Sequence, residues 1–178
     1  PENVYFFRDG GEVVRKLALF HGGAKRFGIS ETGWTTYSGK GEYWEVAGCF
    51  PRASYEQQAQ YIVRNAVFYD EFLLDYGIDG QYFSYELHDS SITSADLNTQ
   101  QYENSLGLYR NDFTPKISAG EVKPFNSLTT GKKLTNLEQT KYGLFYQKSA
   151  YTAAYSQSGQ TVYAVWAESE FDLKVTLP

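Results

Sequence analysis

The sequence predicts an α/β fold up to about Gly131 and a run of antiparallel β-strands after it, within a chain of 178 residues. Three observations carry this expectation. Two short stretches of strand character, residues 27–31 and 79–87, flank a long segment of unbroken helical spacing, which is the order of a parallel α/β repeat. Gly77 stands where that helix must stop, and a glycine pair at 22–23 does the same for an earlier one. From Lys141 onward the apolar period changes from helical to alternating.

Taken in order, Asp9 can cap a helix over residues 10–20, with Val13, Val14, Leu17, Ala18 and Phe20 on or near one face. The basic pair Lys25-Arg26 leads into the strand at 27–31, and Gly33 follows as the residue that lets the chain turn sharply. Residues 35–53 are rich in Gly, Ser, Tyr and Trp and read as one long loop. Tyr37, Tyr43 and Trp44 make it a functional cover over the strand mouth. Ser54 with Gln57 forms a capping box. The helix it opens carries Tyr55, Ala59, Ile62, Val63, Ala66, Tyr69, Phe72, Leu73 and Tyr76 at helical spacing.

A second strand over residues 79–87 is expected to lie parallel and adjacent to the first, joined by a right-handed crossover through the long helix. Tyr82 and Phe83 in it are expected core residues. A polar loop at 90–101 follows. Thr114 is placed to cap, and Pro115 to open, a further helix that should falter at Pro124, since an interior proline costs about 3 kcal/mol. Residues 142–155, 160–167 and 171–177 then read as strands, the first pair joined through Gln157-Ser158-Gly159.

Composition excludes several classes of function. A net charge of −5, with no basic stripe, argues against a nucleic-acid partner. No apolar run approaches the roughly 18 residues of a membrane helix. Cys49 is the only cysteine and His21 and His88 lie far apart, so neither a disulfide nor a Cys/His metal site is expected, and no cofactor is implied. The absence of methionine and of a signal-peptide pattern leads us to expect a mature chain or a piece of a longer one. Aromatic residues make up 17%, with 16 Tyr and 3 Trp, a surplus of the kind that sugar-binding clefts use for stacking and hydroxyl hydrogen bonds.

The chemistry is expected at the ends of the two strands. Glu31 follows a buried strand at the position where α/β barrels keep their reactive groups, and Trp34 offers a flat apolar face beside it. The second strand ends in Tyr85, Glu86, His88 and Asp89 on the same rim. Each has a plainer reading: a salt bridge for Glu86, a loop carbonyl for His88, packing for Trp34 and Tyr85.

Ile29-Ser30-Glu31-Thr32-Gly33-Trp34 resembles the nucleophile motif at the end of the seventh strand in clan A glycoside hydrolases. The helix bearing Gln58, Ala59, Ile62, Val63 and Arg64 resembles the one that follows it. Residues 83–89, Phe-Ser-Tyr-Glu-Leu-His-Asp, resemble the eighth strand and its loop, and Thr114-Pro115-Lys116 the start of the last barrel helix. The resemblance implies that residues 1–130 are the C-terminal portion of a (β/α)8 TIM barrel. It further implies that 131–178 are part of a small antiparallel β domain, as in family 39 and related enzymes. It also implies retaining hydrolysis of β-glycosidic bonds in a poly- or oligosaccharide, with Glu31 as nucleophile and Trp34, Tyr85, Glu86, His88 and Asp89 toward the carbohydrate. The family's acid/base glutamate comes from an Asn-Glu pair, and no such dipeptide occurs here. A closed barrel needs about 250 residues, so the remaining barrel segment is expected on the same or another chain. Two rival readings stay open: a noncatalytic carbohydrate-binding or structural assembly protein, and a two-layer α/β domain with its aromatics all in the core.

Overall fold

The computed structural model describes residues 26–36, 53–90, 105–142 and 148–167, with the side chains of Ile29, Ser30, Glu31 and Lys148 excepted. The expected helix at 10–20, the Tyr37, Tyr43 and Trp44 cover, Cys49, His21, most of the 90–101 loop and the strand at 171–177 lie outside the described residues.

The elements run β1 (Arg26–Thr32), α1 (Tyr55–Tyr76), β2 (Asp79–Ser84), α2 (Ile117–Thr129), β3 (Lys133–Tyr142), β4 (Lys148–Gln157) and β5 (Gln160–Ala167). They divide into two compact units. One takes in Arg26–Ala66 and Asp79–Ser127; the other takes in Val67–Ile78 and the described residues of Leu128–Pro178.

In the first unit β1 and β2 pair in parallel, from Arg26↔Asp79 to Thr32↔Ser84. The capping box forms as expected: the Ser54 N–H donates to Gln57 Oε1 at 2.9 Å, and the Gln57 N–H donates to Ser54 Oγ at 3.1 Å. Tyr82 turns toward α1, where its hydroxyl accepts from Asn65 Nδ2 at 3.1 Å, and burial pushes its ionisation up to about 12. Phe83, expected in the core, is 54% exposed. It belongs to the alternate face of β2, with Gln81, and the described helix contact is on the Tyr82 side.

Two expectations about α2 are corrected. The helix opens at Ile117, beyond Pro115, because the chain before it is held extended: Tyr109 bridges both His88 and Pro115, and the Lys116 N–H donates to Leu108 O. Pro124 does not end it, and helix continues to Thr129. Pro124 and Gly120 are both exposed, so water can serve the carbonyl that the proline leaves unpaired.

The second unit is an antiparallel sheet in the order β3-β4-β5 against the later turns of α1. Phe68 meets Tyr151 and Trp166 edge-on at 5.5 and 5.8 Å, and the Tyr151 and Trp166 rings stack at 5.0 Å. Val67, Phe68 and Phe72 are buried, each worth about 1.5–3 kcal/mol. β4 and β5 turn through Ser158 and Gly159, both at positive φ, as the sequence predicts. β3 is a correction, since alternation was expected only from Lys141. Leu134 and Leu137 stand three apart, a helical interval. A bulge between Leu134 and Asn136 lets both oppose the inward residues Tyr155 and Ala153.

Candidate functional site

Parallel pairing brings the carboxyl ends of β1 and β2 side by side. The register slips between Ile29 and Thr32, where Ser30 and Glu31 of β1 stand against Phe83 alone of β2, so both lie in a β-bulge at the strand's end. Bulges re-aim the chain and are common beside active sites. The Glu31 backbone is part of this feature; its side chain lies outside the described residues.

Beyond the bulge the two exits stay in contact. The Tyr85 N–H donates to Thr32 O at 2.7 Å. Gly33 serves as a point of close approach: a Cβ there would fall well inside contact distance of the Tyr85 carbonyl oxygen. The Trp34 ring is half-buried, tilted against Tyr61 of α1 at 5.8 Å. Thr35 is fully buried, and its carbonyl accepts from the Ala53 N–H at 2.9 Å, pinning together the two ends of the segment that separates them.

The β2 exit carries the other candidates. The Tyr85–Glu86 peptide is cis, and Tyr85 is 38% exposed. Glu86 has a buried Oε1 with no partner among the described residues. Burial, and then the charge of Asp89, raise its carboxyl above the usual range, against the opposing pull of His88, a hydrogen bond from the Tyr85 side chain and Lys116. His88 takes the plainer reading in part: its Nδ1 lies 2.9 Å from the Asp89 carbonyl, and its ring meets Phe113 at 4.9 Å.

Asp89 is bound inward. Its Oδ1 accepts from Lys116 Nζ at 2.6 Å and from the Gly107 N–H at 2.9 Å. The Lys116 side chain is wholly buried; its ammonium also donates to Thr36 Oγ1 at 3.1 Å and Ser105 O at 3.2 Å. Burial lowers the lysine's pKa, with Asp89 opposing. Gln58 performs a similar service for the backbone. Its Nε2 donates to the carbonyls of Trp34, Leu106 and Gly107 at 2.8, 3.1 and 3.3 Å, while its Oε1 accepts from Ser118 Oγ at 2.8 Å.

The structure therefore brings Tyr85, Glu86 and Asp89 together, leaves Trp34 against α1, and turns His88 toward Asp89's own carbonyl and Phe113. Gln58, Lys116 and Ser118 were not singled out as site residues. A glutamine on the otherwise apolar face of α1 is a legible signal; nothing local marks Lys116. No cluster able to hold a metal ion is found among the described residues.

No protein-family model matches the chain, and no curated protein matches it. Among solved structures it is similar to a family 39 glycoside hydrolase from the gut symbiont Bacteroides cellulosilyticus WH2, with a TM-score of 0.57 and 17% identity. The match covers 89% of this chain and 27% of that one, so the chain spans about a quarter of that structure's length. At this identity the likeness is one of fold.

Proposed function

We propose that this chain is part of a retaining glycoside hydrolase acting on β-glycosidic bonds in a poly- or oligosaccharide. In this reading residues 1–130 contribute the last two strands of a TIM barrel, and a segment outside the chain completes it. The observation that carries it is the bulged end of β1 at Glu31 lying beside the Tyr85–Asp89 exit of β2, in a fold similar to a family 39 glycoside hydrolase.

The chemistry follows from the carboxylate. Ionised Glu31 attacks the anomeric carbon, a C–O bond to the glutamate forms, and the glycosidic C–O bond breaks as its oxygen takes a proton from a second carboxyl group. Water then hydrolyses the glycosyl ester with that second group acting as base, and configuration is retained. The two groups stand about 5–5.5 Å apart in such enzymes. The acid/base residue belongs to the completing segment.

The test uses the full natural polypeptide that carries this sequence, assayed on p-nitrophenyl β-glycosides. Glu31→Gln keeps shape and removes the nucleophile's charge, so turnover falls by roughly three orders of magnitude or more while sugar affinity holds. Glu31→Ala with added azide recovers product as the glycosyl azide. Wild-type turnover in Glu31→Gln refutes the assignment, and glycan binding without turnover in the unmutated protein favours the carbohydrate-binding reading.

A further inference from the structure

Phe113 is held in an unusual way. It is 67% exposed, and its φ of 63° is in the left-handed region, which a bulky side chain rarely occupies. Such a conformation is strained and persists only where the surroundings impose it. Here they do. The Asp112 carboxylate accepts from the Thr114 N–H and hydroxyl at 2.9 and 2.7 Å, and the Phe113 N–H donates to Arg110 O at 2.8 Å. Arg110 in turn donates from its backbone to Thr114 O and from Nη1 to Pro115 O at 3.1 Å. The turn is anchored at the β2 exit, since Tyr109 bridges His88 and the Asp89 N–H donates to Tyr109 O.

Within this chain the outlay serves no burial. An aromatic ring tucked into a core would explain a strained backbone; a ring left open to solvent does not. What the turn achieves is to fix the Phe113 ring over the His88 imidazole, tilted at 56°, at the rim where β2 ends. The geometry points to Phe113, braced by His88, as a stacking platform for a sugar ring of an extended glycan, outside the position where the bond is cut. This rests on the carbohydrate reading above and adds to it that the substrate is a chain of sugars. Pyranose C–H faces pack on an aromatic face, and a ring fixed in advance loses little freedom on binding.

Two substitutions separate this role from a structural one. Phe113→Gly removes the ring and suits the left-handed backbone, so it leaves the fold intact. Phe113→Trp keeps a flat face. The full natural polypeptide and both variants are compared by calorimetry and kinetics on cello-, xylo- and laminari-oligosaccharides of four or more sugars, beside the p-nitrophenyl monoglycosides. We expect Phe113→Gly to weaken Kd and raise KM for the oligosaccharide bound by the unmutated protein by roughly three- to tenfold. The monoglycoside KM stays unchanged, and Phe113→Trp behaves as the unmutated chain. Unchanged oligosaccharide Kd and KM in Phe113→Gly overturns the platform, as does the failure of any oligosaccharide to bind. Oligosaccharide binding that depends on Phe113 in a protein without glycosidase activity sustains the platform and removes the enzymatic reading.

Discussion

Gln58 shows how much of this architecture can hang on one side chain. Its amide satisfies three carbonyls from two separate stretches, after β1 and before the Tyr109 segment, and takes the Ser118 hydroxyl in return. Gln58→Leu fits the same space and leaves those groups without partners, which should cost about 2–3 kcal/mol in chemical denaturation. Gln58→Glu should cost more, because it sets a carboxylate against three carbonyls. A milder loss in Gln58→Glu than in Gln58→Leu would mean that volume, not hydrogen bonding, is what the site requires. Residue-level legibility in the sequence follows the same logic. The placement of Glu31, Tyr85 and Asp89 at or just beyond the strand ends was readable because strand ends announce themselves by a break in apolar pattern. Lys116 was not, because its buried ammonium is made tolerable by Asp89, Thr36 and Ser105, partners distant in sequence.

Among the elements, α1 was the most legible, since a capping box, sustained spacing and a terminal glycine at φ 60° agree with one another. β3 was missed because its bulge gives two inward leucines a helical interval. In α2, Pro124 reads as a stop, yet the helix passes through it on its solvent side. That tolerance is not free. Pro124→Ala restores a donor to the Gly120 carbonyl and removes the ring, so it should stabilise the chain by about 1–3 kcal/mol, read as a rise in the denaturation midpoint at constant m-value. A destabilised Pro124→Ala would show that the helix needs its bend.

At the scale of the whole molecule, burial raises a carboxyl in each compact unit, Glu86 in the first and Asp70 in the second. Asp70 lies in the second unit, where its Oδ2 accepts from the Tyr155 hydroxyl at 2.8 Å. Burial raises its pKa, and the Tyr155 hydrogen bond only partly offsets this; burial also drives the Tyr155 ionisation far upward. A raised carboxyl binds its proton more tightly folded than unfolded. Its contribution to stability is therefore fully present below the ordinary aspartate value near about 4 and is lost as pH rises through the folded value. Asp70→Asn keeps an acceptor for Tyr155 without the charge. It should match the unmutated protein near pH 3 and exceed it in stability at pH 7; equal pH profiles would remove Asp70 from the account. The sequence shows Asp70 only as one acid on a helix, since its partner arrives from β4, far along the chain.

The packing of Trp166 has a spectroscopic consequence. Stacked on Tyr151 and edge-on to Phe68, with its indole nitrogen buried, it sits in an apolar setting and should emit toward the blue. Trp34, half-buried against Tyr61, belongs to the other compact unit. With Trp44 and either of the others replaced by Phe, each remaining indole becomes a fluorescent reporter on its own unit. Superimposable melting curves from the two would show one cooperative transition, and separated curves two folding units within a single chain.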